Sequence, residues 1–130
     1  MPIDYDRDDA RTLLVLTARG DVTLADVLGV LDRLVSEGLW THRMLYDGRQ
    51  RNKSLLSEAD VRNLAMHLAI LTEKLGVRGR VAIVSLEPAS AWADKYRILV
   101  QQHVNLEIDI FRDIASAMTW LDDVANEKLS

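Results

Sequence analysis

The chain has 130 residues, with Lys+Arg 16 against Asp+Glu 20 and a formal net charge of -4 at pH 7. That length suits one domain able to bury roughly two-thirds of the surface its unfolded form exposes, and the acidic balance opposes the broad cationic footprint that nucleic acid requires. The absence of cysteine removes disulfide frameworks, thiolate nucleophiles and Cys-based zinc sites.

The acidic start "MPIDYDRDD" lacks the basic and apolar regions of a signal peptide, and no later apolar run reaches the length of a membrane span. The expectation is a soluble, cytoplasmic protein without an integral membrane segment. In "PIDYDR", Ile3 and Tyr5 alternate with polar residues, and "TLLVLTAR", Thr12 to Arg19, is rich in Leu, Val and Thr. Both read as strands, joined through the short polar connection "DDA" as a hairpin.

Thr23 with Asp26 forms a capping pattern, and Leu24, Val27, Leu28, Leu31, Leu34 and Val35 recur at helical spacing until Gly38. "RMLY", Arg43 to Tyr46, is the next strand, and Asp47-Gly48 reads as a turn into a loop. Ser57 with Asp60 repeats the capping pattern; Val61, Leu64, Ala65, Leu68, Leu71 and Leu75 then form one face before Gly76. Arg78, Gly79 and Arg80 make the turn into "RVAIVSL", Arg80 to Leu86, whose continuous apolarity suits a strand covered on both faces. Pro88 fits a first helical turn, with Trp92, Tyr96, Leu99 and Val100 on one side of the helix that follows. "NLEIDIF", Asn105 to Phe111, alternates as a strand, and Asp113 caps a last helix carrying Ile114, Ala117, Met118, Leu121 and Val124.

The order is therefore β-β-α-β-α-β-α-β-α. It predicts an α/β fold with a mixed, mostly parallel five-stranded sheet that opens with a β-hairpin, and about four helices.

The strand ending "ARGDVT" before a Thr-capped helix, the strand ending in Asp47, the strand "RVAIVS" and the ending "DIFRDIASAMTWLDD" carry a resemblance over nearly the whole chain. The pattern resembles the SpoIIAA-like proteins, relatives of STAS domains and anti-sigma-factor antagonists. The resemblance implies a single SpoIIAA-like domain over residues 1–130. In the phospho-regulated antagonists, a partner kinase modifies a serine in an Asp-Ser-Ser-Gly context after the strand that precedes the second helix. Here Asp47 to Ser57 reads "DGRQRNKSLLS", which lacks that motif and offers only Ser54 and Ser57 as hydroxyls. Other relatives of the fold resemble lipid-binding CRAL-TRIO modules, with an apolar space between helices and sheet.

Ligands of α/β folds bind beyond the carboxyl ends of parallel strands, where a helix N-terminus offers free N–H groups. The candidate recognition or anion-binding loop is therefore Asp47, Arg49, Arg51, Lys53, Ser54 and Ser57, whose cations would meet a phosphate, a carboxylate or an acidic partner surface. The competing reading makes the cations solvated loop residues and Ser57 an N-cap. Trp92 and Tyr96 are the candidate lining of an apolar pocket, against a core or dimer role.

His42, His67 and His103 have no metal-ligand spacing, and His67 shares a helix side with Asp60, Asn63 and Lys74 that reads as solvated. Asp122 and Asp123 read as a solvated helix end. No nucleophile–base pair, carboxylate pair or phosphate-binding glycine motif is legible, so no catalytic residue, metal or cofactor is assigned. The leading expectation is a non-enzymatic regulatory or protein-interaction module with an unknown protein partner. The alternative is a carrier or sensor of a small apolar or amphipathic ligand. The last helix and an edge strand leave surfaces through which a homodimer could form.

Overall fold

The protein is described from a computed structural model, which covers residues 3–51, 57–86, 92–103 and 106–129, with side chains for all of these except 51, 92–96, 103 and 124–129. The chain opens with strand β1 (Ile3–Asp8), a 3-10 turn at Asp9–Arg11 and strand β2 (Leu13–Gly20). These pair antiparallel, Ile3 opposite Ala18 through Asp8 opposite Leu13, as the alternating pattern predicts. Helix α1 (Leu24–Ser36), strand β3 (Arg43–Arg51), helix α2 (Glu58–Leu75) and strand β4 (Val81–Val84) follow. Helix α3 (Trp92–His103), strand β5 (Ile108–Phe111) and helix α4 (Ile114–Leu129) complete the order. Pro88 lies outside the described residues.

The sheet runs β1-β2-β3-β4-β5, with every pair after the first parallel. Three successive crossovers of one hand between neighbouring strands place α1, α2 and α3 on one face. Leu14, Leu16, Met44, Tyr46, Val81, Ile83 and Ile108 point to that side, against Leu31 and Leu34 of α1, Leu64 and Leu68 of α2 and Val100 of α3. The alternate residues Leu13, Leu45, Ala82 and Val84 meet Ala117 and Leu121 of α4 on the other face. Both helices with a described capping box begin where the sequence predicts: Thr23 and Asp26 exchange hydrogen bonds at α1, and Ser57 and Asp60 at α2.

The Asp47-Gly48 turn does not form. β3 continues to Arg51 and stays paired to β2, Arg19 opposite Gln50 and Gly20 opposite Arg51. Between Asp47 and Gln50 the strand takes one more residue than β2 does from Thr17 to Arg19, which is a β-bulge. Two readings on α2 also change. Leu75 is 44% exposed rather than part of the core face, and His67 is half-buried with Nε2 enclosed and unbonded among the described residues.

The link between α1 and β3 carries a core residue that periodicity does not reveal. Trp40 is buried and its Nε1–H donates to the Gly76 carbonyl at 2.8 Å, closing the end of α2. The Arg78 guanidinium lies 5.6 Å from the Trp40 ring and Nη2 donates to Met44 Sδ at 3.1 Å, so Arg78 is a buried residue rather than a surface turn cation. Gly79 then passes directly over the same link. A Cβ there would stand 2.6 Å from the Thr41 carbonyl oxygen and nearer still to that of His42. Gly79→Ala is accordingly expected to lower unfolding free energy by about 1–3 kcal/mol, measured by urea denaturation; an unchanged midpoint would contradict the close approach.

Candidate functional site

The carboxyl ends of β2 to β5 form one rim of the sheet, and Asp47 sits just inside it on the α4 side. Asp47 is only 6% exposed. Its carboxylate accepts the Arg49 backbone N–H at 3.1 Å and the Arg49 side chain twice, from Nε at 3.0 Å and Nη2 at 3.0 Å. The bulge makes this possible, because the added residue turns Arg49 back over the carboxylate two positions earlier. These bonds hold the Asp47 carboxyl below the ordinary aspartate range, with burial opposing, and the same pairing raises Arg49, to which Asp113 adds. A bidentate fork on a buried carboxylate fixes the guanidinium in one orientation. The Arg49 side chain is 37% exposed, and Nη1 makes no hydrogen bond to the described residues.

The helix N-termini described on this rim are each occupied by the chain's own acid. Asp26 accepts the Thr23 N–H at 2.9 Å at α1, and Asp60 accepts the Ser57 N–H at 3.1 Å at α2. At α4, Asp113 accepts the Ser116 N–H at 2.7 Å and the Ser116 hydroxyl at 3.1 Å, which lowers its own pKa. Each of these starts therefore has one backbone N–H taken by a carboxylate, the cap residue's own at α1 and α2 and that of Ser116 at α4. Among the described residues, Arg49 is a cation at the rim that is held on a buried carboxylate.

The fold has a parallel among solved structures. The chain is similar to the crystal structure of an uncharacterized protein of the DUF3478 family with a SpoIIAA-like fold, from Shewanella loihica PV-4. The TM-score is 0.58 and the identity 22%, over 92% of this chain and 91% of that one. The fold is SpoIIAA-like. No family model matches the sequence, and no curated protein matches it.

On the SpoIIAA-like frame the residues singled out from sequence separate into groups. Asp47 and Arg49 come together as a pair on β3, not as loop residues. Arg51 is the last residue of the same strand, with its side chain outside the described residues, and Lys53 and Ser54 lie outside them altogether. Ser57 is an N-cap: its hydroxyl accepts the Asp60 N–H at 3.0 Å. Trp92 and Tyr96 fall on α3, but their side chains are not among those described.

Asp122 is bound rather than merely solvated, receiving Arg43 at 3.2 Å and Arg11 at 3.5 Å. Sequence reasoning did not anticipate the placement of Asp113 near Arg49, since the two are 64 positions apart in the chain; only the shared strand-end position of the two hinted at it. Among the described residues no group of His, Asp or Glu could hold a metal ion, and no helix is long and apolar enough to cross a membrane.

Two outcomes follow from these contacts. A carboxylate with a lowered folded pKa stabilises the fold above the ordinary aspartate range, and that contribution is lost as pH falls through the folded value. Arg49→Ala should therefore reduce the melting temperature by several degrees in neutral buffer and converge with the parent protein in strong acid, by circular dichroism; a deficit that persists unchanged in acid would refute the pairing. Ser57→Ala should cost about 1 kcal/mol while Ser57→Asp stays close to the parent, because Asp also caps. Equal losses in the two variants would mean that the hydroxyl does not act as a cap.

Proposed function

We propose that this chain is a non-enzymatic regulatory or protein-interaction module that docks an acidic partner surface on the rim, with Arg49 as anchor and α2 as a second contact. The observation that carries this reading is the Arg49 guanidinium, its side chain 37% exposed, held by two hydrogen bonds on the buried Asp47. An arginine fixed in this way loses little further side-chain freedom when it meets a carboxylate, so less of the attraction is spent on ordering. Arg51 ends the same strand.

The outer face of α2, on the opposite side of the sheet from the Arg49 pair, is a second exposed apolar surface. Met66 and Ile70, one helical turn apart, are 47% and 50% exposed, on the side opposite buried Val61, Leu64 and Leu68. An oriented arginine and an exposed apolar helix face are each the kind of feature that protein partners cover. The SpoIIAA-like likeness supports the frame on which such a patch sits; function is argued from the site itself.

Charge reversal belongs at Arg51, because removing Arg49 also strips Asp47 of its partner. The test is affinity capture from the source cell with the parent protein, Arg51→Glu and the pair Met66→Asp with Ile70→Asp. A specific protein retained by the parent should be lost from both variants while their melting temperatures stay close to the parent's. Retention by both variants would contradict docking at this surface.

A further inference from the structure

The rim is one of two unusual surfaces; the other is the outer edge of β1. Among the described residues no strand pairs with that edge, so β1 turns a row of backbone N–H and C=O groups away from β2. The opposite edge is closed by its own side chain. Asp109 Oδ1 on β5 accepts the N–H of Ile110 at 2.8 Å and also receives Arg97 at 3.4 Å. β1 has no comparable bond to its backbone among those described.

β1 is also charged on one face in strict alternation. Asp4, Asp6 and Asp8 lie directly across from Thr17, Val15 and Leu13, which places all three carboxylates on the α4 side of the sheet. That side is open at this end, since α4 packs along β3, β4 and β5 and all three aspartates are exposed. Asp4 is paired with Arg19 at 2.9 Å, and Asp8 accepts the Arg11 N–H at 3.2 Å. Asp6, in the centre of the row, makes no ion pair or hydrogen bond to the described residues.

A strand added beside β1 continues the sheet, so its residues on this face stand opposite the aspartates. A second copy of β1 joined antiparallel through the same edge would set aspartate against aspartate, because that pairing keeps like faces of the two sheets together. Like charges in cross-strand positions are destabilising, so the row disfavours antiparallel pairing of two copies at this edge. The same row favours an extended segment with Lys or Arg at every second position, whose backbone meets the free edge while its cations meet Asp4, Asp6 and Asp8.

From the free edge, the in-register acidic row and its open face, we propose that β1 is a docking edge for a cationic, alternating strand of a protein partner. This surface is separate from the Arg49 rim and does not depend on it. The probe is a synthetic peptide of alternating Lys and Val, with a Glu–Val peptide of the same length as control, titrated calorimetrically into the full-length chain. Amide hydrogen exchange is followed in parallel.

The Lys–Val peptide should bind and slow exchange of outward β1 amides within Ile3–Asp8. Asp6→Lys should weaken it about five- to tenfold, and Asp6→Asn by less, at unchanged melting temperature. Arg49→Ala should leave it unaltered. The proposal is overturned if the Lys–Val peptide does not bind, if the Glu–Val peptide binds as well, if protection appears on another element, or if β1 instead mediates self-association of this chain.

Discussion

The structure depends on a strand with no wet face. Val81, Ala82, Ile83 and Val84 of β4 are all at most 4% exposed, so the sheet must be covered on both sides at its centre. Two helix layers are the consequence. Successive crossovers of one hand put α1, α2 and α3 together on one side, and α4, entered only after the last strand, is the element left for the other. α4 is further held where the strands begin: Arg43 donates to the Leu121 carbonyl, and Arg80 donates to the Trp120 carbonyl while lying 4.0 Å from the Trp120 ring. A single helix covers only part of a five-stranded sheet, which is why the β1 end of that face stays open.

The same architecture sets which charged groups the rim presents. Parallel strands carry the chain to a common edge from which each crossover helix starts, and helix starts carry partial positive charge. Asp26, Asp60 and Asp113 place their own carboxylates at the described starts, a gain for each helix. Asp47 acts in the opposite sense. Its buried carboxylate holds a cation at the surface, so local stability and a partly exposed cation come from one pair of residues.

Much of this was legible before any coordinates. Period-two alternation identified β1, continuous apolarity identified β4, and the capping pairs Thr23 with Asp26 and Ser57 with Asp60 located two helix starts. These signals are local, and local hydrogen bonds decide them. β3 was cut short because Asp-Gly is strong turn chemistry, whereas its ladder to β2 and the Asp47–Arg49 bonds across a bulge carried the strand on to Arg51. The contacts of Trp40, Arg78 and Asp122 are not legible for a related reason: their partners, Gly76, Met44 and Arg43, are distant in sequence, and periodicity within one element does not report such contacts. The candidate site was half legible, since strand-end position marked the region but not which cation would be held.

If recognition is carried by the outside of this fold, the interior need hold nothing but its own side chains. Native mass spectrometry of the purified protein, followed by denaturing mass spectrometry of the same sample, addresses that point directly. The predicted result is the bare polypeptide mass in both spectra. An additional noncovalent mass in the native spectrum that denaturation releases would contradict it, and would make the chain a carrier of the molecule so weighed.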